Sequence, residues 1–198
     1  MTPIDRIDVI LASTSRYRAE LLRRITGKFR QLSPEVDETR RPNEVPAALA
    51  RRLAHAKALA VAERHPGSVV IGSDQVAALA DEVLGKPGSL ERARDQLAAC
   101  SGRKVIFHTA VCIADVRDGL RCCEATDVTR AVFRRLDPVT IARYLEREHP
   151  LDCAGSFKAE GLGIALFEHI DSGDPTGLIG LPLITTCRLL QAIGIEVI

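Results

Sequence analysis

A chain of 198 residues is long enough for one domain with its own hydrophobic core and short for two. Apolar residues at 46% and charged residues at 27% are the balance of a globular protein, not of a disordered or membrane-embedded one. The 27 basic and 26 acidic residues leave a net charge of +1, too little surplus for a binder of polyanions such as nucleic acid. No apolar run is long enough to cross a bilayer.

The segment Asp8–Ala12 reads as a buried strand. Ser13-Thr14-Ser15 follows as a helix cap, with a helix to about Ile25. A strand is expected at Phe29–Leu32, running into the acidic turn Ser33-Pro34-Glu35-Val36-Asp37-Glu38. Pro46 opens a long helix that ends near His65-Pro66-Gly67, and Val69–Gly72 is a buried strand that ends in Ser73-Asp74-Gln75. A short helix follows Ser89, and Lys104–Asp115 and Cys122–Phe133 form a hairpin about Asp118-Gly119. A helix at Pro138–Glu148, a strand at Gly163–Ile170 and a helix at Leu183–Ile193 complete the reading. Early alternation of helix and strand, with a hairpin in the middle, predicts an α/β domain built on a mixed sheet.

Several polar residues interrupt this plan. Leu49, Ala50, Leu53, Ala60 and Val61 make an apolar stripe, and Lys57 falls in its middle, opposite Arg51, Arg52 and His55. A lysine facing inward is costly unless it meets an anion; the alternative is that its stem lies on the core while the ammonium reaches water. Ser13, Ser15 and Arg18 stand at a strand-to-helix junction, where backbone N–H groups and a guanidinium can grip phosphate oxygens. Asp74, placed at the carboxyl end of a strand, can bind a metal or take a proton from water. Lys86 is fixed between Gly85 and Pro87 as a phosphate contact would be, and Asp37 and Glu38 offer further metal oxygens. For each residue an ordinary structural role is the competing reading: a solvated arginine, a turn-forming aspartate, a charged loop. Cations to neutralise phosphates, with carboxylates to hold a metal and position water, are together what triphosphate chemistry requires.

The six cysteines contain no C-x-x-C pair, and histidines do not cluster near them, which argues against zinc. The first residues, among them Asp5, Arg6 and Asp8, lack an apolar signal core, and a reduced cytoplasmic setting is expected.

The ordered motifs resemble the Maf family of nucleotide pyrophosphatases along essentially the whole chain, residues 1–198, read as a single domain. They are Leu11-Ala12-Ser13-Thr14-Ser15 with Arg18, Val36-Asp37-Glu38, Lys57-Ala58 and Ile71-Gly72-Ser73-Asp74-Gln75-Val76. Leu84-Gly85-Lys86-Pro87, Ala154–Gly161 and Ile179-Gly180-Leu181-Pro182-Leu183 complete them. The resemblance implies a two-lobed Maf/ITPase-like fold with an elongated mixed sheet, flanking helices and a deep central cleft. It also implies cleavage between the α- and β-phosphates of a nucleoside triphosphate with Mg2+ or Mn2+. Carried over, Asp74 activates water or ligates the metal, Glu38 is a further metal ligand, and Ser13, Arg18, Lys57 and Lys86 hold the phosphates. Ser73-Asp74-Gln75 in place of Ala-Asp-Thr, and Glu160 in place of Gln, resemble the branch that hydrolyses 7-methyl-GTP rather than the dTTP/UTP branch. There Gln75, Glu160 and Tyr17 would set base preference. Tyr17 stands where that branch commonly carries Trp, the stronger cation–π partner of a methylated guanine. The competing functions are a pyrophosphatase for UTP, dTTP, CTP or modified pyrimidine nucleotides, and a non-catalytic nucleotide-binding regulator of cell division. The expected partner is a small nucleotide, without nucleic acid or membrane; a homodimer is compatible with the resemblance.

Overall fold

The computed structural model describes all 198 residues. In chain order the strands are β1 (Thr2–Pro3), β2 (Val9–Ala12), β3 (Arg30–Leu32), β4 (Val69–Leu79), β5 (Glu82–Leu84), β6 (Lys104–Asp115), β7 (Arg121–Phe133), β8 (Phe167–Asp171) and β9 (Ile195–Glu196). The helices are α1 (Arg16–Leu22), α2 (Pro46–Ala62), α3 (Leu90–Cys100), α4 (Pro138–Glu148) and α5 (Leu183–Ala192). None is long and apolar enough to cross a membrane.

The main sheet runs β3-β2-β4-β6-β7-β8, with β5 paired to the far end of β4. β2 is parallel to both β3 and β4, whereas β4–β6, β6–β7 and β7–β8 are antiparallel. The expected mixed α/β sheet is therefore present. All four residues of β2 are buried, as a strand covered on both faces requires. The chain leaves β2 through α1 to reach β3 on one side, then returns through α2 to β4 on the other. That reversal opens a crevice beyond the carboxyl end of β2, where Ser13 begins the next segment.

Three departures from the sequence reading affect the site. β4 does not end at Ser73–Gln75 but runs on to Leu79, because Asp74 and its neighbours continue their ladder with β6. It is β2 that stops, at the level of Gly72, and β5 picks up the vacated edge only from Ala77. Asp74 thus lies inside a strand whose edge is open to the crevice. In the place of a strand over Gly163–Ile170, Leu162–Leu166 forms a 3-10 helix and the strand covers Phe167–Asp171. A Cβ on Gly163 would lie 2.3 Å from the Lys158 carbonyl, so the chain folds back on itself there and cannot extend. The short β5 went unrecognised because three residues carry too little pattern to register.

The packing divides into two lobes threaded by the same long strands. Val69 and Ile71 of β4 pack with Val111 and Ile113 of β6, α1 and α5 on one face of the sheet. Val70, Val76, Ala110 and Cys112 pack with α2 on the other. The far ends of β4 and β6 enter a separate core with α3 and α4, where Phe157 makes edge-on contacts with Phe107, Phe133 and Phe167.

The closest approach between layers is at Gly72. A Cβ there would lie 2.4 Å from the Ala54 carbonyl oxygen and 2.6 Å from the Ala58 nitrogen, so the backbone of α2 rests directly on β4. Alternation along β4 then turns Asp74 toward α2 and Ser73 toward the opposite face. We expect Gly72→Ala to destabilise the chain by roughly 1–3 kcal/mol, since an inserted methyl must displace backbone and not a flexible side chain. Urea unfolding measures this, and an unchanged midpoint would show that α2 does not depend on the contact.

Candidate active site

Beyond the end of β2 lies a cavity of about 850 Å³, within the range of small-molecule sites. Nine of the residues singled out from the sequence line it: Ser13, Tyr17, Arg18, Glu38, Lys57, Asp74, Gln75, Lys86 and Glu160. They come from both lobes and from separate elements.

At its floor, Lys57 Nζ lies 2.6 Å from Asp74 Oδ1 and 2.6 Å from Glu38 Oε1. The Lys57 side chain is 6% exposed, so the ammonium does not reach out to water; it is held between two carboxylates. The stripe on α2 is shifted from the expected one. Ala54, Ala58 and Ala62 are buried with Leu49, Leu53 and Val61, whereas Ala60 is only half-buried. Three alanines allow the close approach to β4, and that approach brings Lys57 within reach of Asp74.

Asp74 is buried, and desolvation raises its pKa despite the opposing pull of Lys57 and Arg18; the Glu38 charge adds to the rise. A carboxylate held above its ordinary range is a better proton acceptor when ionised. For Glu38, which is largely exposed, desolvation also pushes upward, but the combined attraction of Lys57, Lys86 and Arg18 outweighs it and the net shift is down. The two carboxylates therefore differ: one is tuned toward proton transfer, the other toward permanent charge.

Arg18 closes one wall. Its Nε donates to the Gly180 carbonyl at 2.8 Å and its Nη1 to Ser13 Oγ at 3.4 Å. Burial lowers its pKa while Asp74 and Glu38 pull it back up, and an arginine so placed keeps its charge. Ser13 Oγ also accepts from the Ser15 backbone N–H at 3.1 Å, and Ser15 caps α1. Because α1 has only seven residues, its dipole adds little, and attraction for anions at this wall rests on the Arg18 guanidinium. Gly180 has φ +120°, and a Cβ there would approach Arg18 Nε to 3.4 Å, so both backbone and space call for glycine. Lys86 is exposed at the rim on the turn after β5.

Two of the residues read from the sequence make contacts that it did not show. Asp37 does not line the cavity; its Oδ1 accepts from the Thr39 N–H at 2.9 Å, the turn-forming role of an aspartate. Gln75 does line it, yet its amide nitrogen lies 2.9 Å from the Gly177 carbonyl, 3.0 Å from that of Leu178 and 3.1 Å from Thr109 Oγ1. Its amide is thus spent holding the segment that carries Gly180. Ser73 does the same from the same face of β4, with Oγ 2.9 Å from the Gly180 carbonyl oxygen.

At the other end, the Ala154–Glu160 segment is anchored by Phe157 in the aromatic core and by Lys158 Nζ donating to the Glu148 carbonyl at 2.9 Å. Glu160, exposed, projects into the cavity beyond these anchors. Tyr17 is half-buried, and its ring already carries a cation: Arg16 Cζ lies 4.7 Å from the ring centroid and Nη2 donates to the Tyr17 hydroxyl at 2.7 Å. Arg16 and the exposed Asp152 also line the cavity, and neither was legible beforehand because an arginine on a short helix and an aspartate in a loop carry no pattern.

The carboxylates fit a hard divalent cation. Mg2+ binds through one or two carboxylates plus substrate phosphates; Asp74 and Glu38 flank Lys57 Nζ, so a cation held by their oxygens would compete with that ammonium.

Comparison with known proteins agrees with this geometry. Residues 8–193 match the family model described as Maf-like protein. The chain is 55% identical over 188 residues to a 7-methyl-GTP pyrophosphatase of Bordetella pertussis, covering 95% of this chain and 93% of that one. It is 54% identical over 189 residues to a 7-methyl-GTP pyrophosphatase of Xanthomonas axonopodis pv. citri, covering 96% and 98%. Among solved structures, a nucleoside-triphosphatase/dITP/XTP pyrophosphatase from Mycobacterium abscessus is similar at a TM-score of 0.45 and 15% identity, covering 94% and 97%, too distant to argue from. With its family model spanning nearly every residue and its motifs gathered around one cavity, the chain belongs to the Maf family.

Proposed function

We propose that this protein is a nucleotide pyrophosphatase that hydrolyses 7-methyl-GTP to 7-methyl-GMP and pyrophosphate. The observation that carries the catalytic part is the buried Asp74–Lys57 pair, joined by Glu38 and beside Arg18, at the floor of the cavity. A desolvated carboxylate among cations at the floor of a cavity is placed to accept a proton from water, which hydrolysis requires and binding alone does not. The substrate is suggested by the relatives' names, which specify 7-methyl-GTP.

In this reading the triphosphate lies along the wall formed by Ser13, Arg18 and Lys86, with Lys57 at its inner end. The cations neutralise charge that would otherwise repel an incoming water oxygen. Asp74, as the ionised carboxylate, takes the water proton while the water oxygen bonds to phosphorus and the α–β anhydride bond breaks, releasing pyrophosphate. Asp74 and Glu38 would hold the divalent cation, which supplies further neutralisation of the phosphate oxygens when bound. Carboxylate ligands favour Mg2+ or Mn2+ over softer ions. Residues 1–198 act as one domain in this scheme, since β4 and β6 run through both lobes and the cavity needs both. The six free thiols support a reducing, cytoplasmic location.

For the base, Glu160 can accept from the N1–H and exocyclic amine of a guanine, and Asp152 adds negative charge on the same lining. Methylation at N7 makes the ring a cation, which both carboxylates and the face of Tyr17 favour. Arg16 on that ring shows the face accepts a cation, and it is also the group a cationic base must displace or share with.

Asp74→Asn is expected to lower the pyrophosphate release rate about a hundred-fold or more, the scale of a lost general base, while binding of a non-hydrolysable triphosphate analogue persists. Undiminished turnover would remove Asp74 from the reaction. Because the active form is ionised and the pKa is raised, wild-type turnover should decline on acidification at a pH above the ordinary carboxylate range. A pH–rate profile that stays flat down to that range would contradict the assignment.

Glu160→Gln should narrow the ratio of kcat/KM for 7-methyl-GTP over GTP. Arg16→Ala should widen it by freeing the Tyr17 face. A panel that adds UTP, dTTP and CTP checks both, and a preference for a pyrimidine would keep the hydrolase but overturn the base pocket.

A further inference from the structure

The lack of a C-x-x-C pair and of clustered histidines argued against a zinc site, and the fold removes that argument. His55 of α2, Cys112 of β6 and Cys122 of β7 each offer a ligand atom, and these atoms all lie within 4.8 Å of one another. The three residues are distant in sequence, so no spacing rule detects them. Register explains the meeting. Cys112 pairs with Glu124 and Ala114 with Cys122, so both thiols and Glu124 project from one face of the hairpin. That face is the one α2 covers, with Cys112 in the core beneath it. Cys123, one residue on, points to the opposite face, its Sγ directed at the Ile113 and Leu189 carbonyls.

We propose that His55, Cys112 and Cys122 form a second metal site, separate from the catalytic cavity, for a thiophilic divalent cation such as Zn2+. Bonds of about 2.3 Å to sulfur and about 2.0–2.1 Å to nitrogen at tetrahedral angles place N···S edges at roughly 3.6 Å. His55 Nδ1 already lies 3.7 Å from Cys112 Sγ. The fourth position falls to Glu124, whose Oε2 is 3.4 Å from the same nitrogen, close to the N···O edge of such a tetrahedron. Glu124 also accepts from Arg51 Nη2 at 2.5 Å, so ligation by that carboxylate means partly releasing Arg51. The donor set separates the two sites: sulfur and imidazole select zinc here, and the oxygens of Asp74 and Glu38 select magnesium or manganese.

The site also has an entrance and a rigid frame. Cys122 is exposed and His55 half-buried, so an ion enters from solvent, while Cys112 forms the buried base. Without an ion, burial raises the pKa of both thiols. A bound cation deprotonates them and ties α2 to the β6–β7 hairpin, two residues before Lys57.

The test is Co2+ titration of the reduced, full-length chain in excess Mg2+, which keeps the carboxylate site occupied. Thiolate ligation produces a sulfur-to-cobalt charge-transfer band that oxygen ligands do not give. The expected result is a band saturating at a single equivalent, displaced by Zn2+, with Zn2+ raising the unfolding midpoint and shielding Cys122 from alkylation. Cys122→Ser and His55→Gln alter exposed or half-buried side chains, so both should fold; each should weaken cobalt binding at least ten-fold and abolish the thermal shift. No charge-transfer band in the wild type, or a band undiminished in both variants, would overturn the proposal. The Asp74→Asn variant should bind cobalt through thiolate as the wild type does, which separates this outcome from any failure of the catalytic reading.

Discussion

The ammonium of Lys57 is the charge around which the rest of this molecule is arranged. A lysine inside a protein is costly when unpaired, by several kcal/mol even after relaxation. Here it is paired twice, to Asp74 and to Glu38, and the two partners are unlike. Asp74 is itself buried, whereas Glu38 comes from a loop and is mostly exposed. The inner pair is therefore set by the packing of α2 on β4, and the outer one by a segment with little packing of its own. In the proposed reaction a phosphate entering the cavity would compete with the carboxylates for Lys57, and a divalent cation would compete with Lys57 for the carboxylates. Exchange of partners at one buried point couples the binding of both.

That point exists because two backbones touch. Gly72 has no side chain to hold α2 away, and Ala54 and Ala58 have little more. A larger residue at any of the three would separate the elements and lengthen the Lys57–Asp74 contact. The opposite face of β4 is used with equal economy. Ser73 and Gln75 both bind carbonyls of the 177–180 segment, and Gly180 in turn receives Arg18. One short stretch of β4 thus positions Asp74 through its even residues and Arg18, by way of Gly180, through its odd ones. The unpaired edge of β4 between the end of β2 and the start of β5 is what leaves this stretch accessible.

These relations explain what could be read from the residues and what could not. The anomaly of Lys57 was visible because helical periodicity states which face a side chain must occupy, and a charge on the wrong face stands out. Ser13, Arg18 and Asp74 were visible because they follow strands, though Asp74 for an inexact reason: its strand continues, and the crevice belongs to β2. The contacts of Gln75 could not be read because its partners, the carbonyls of Gly177 and Leu178, are about a hundred residues away in sequence. The His55–Cys112–Cys122 cluster was invisible for the same reason, since it depends on the register of a hairpin and the rotation of a helix over it. Periodicity reports on faces; it says nothing about which faces meet.

In the proposed reading, the base end of the cavity follows a different physical logic from the phosphate end. Around the phosphates the protein supplies cations, and the ligand supplies the balancing negative charge. Around Tyr17 that order reverses: Asp152 and Glu160 are acidic, and the cation on the aromatic face belongs to the protein, through Arg16. An uncharged base leaves Arg16 on the ring with nothing to gain by moving. A cationic base competes for the same face and is drawn there by the two carboxylates, which Arg16, tethered by its own backbone, serves less directly. Discrimination would then rest on exchanging one cation for another, so its size depends on how firmly Arg16 is held as well as on the strength of the Tyr17 contact. Tyrosine in place of the tryptophan common in this branch weakens both terms together, because the same ring face serves the internal and the incoming cation.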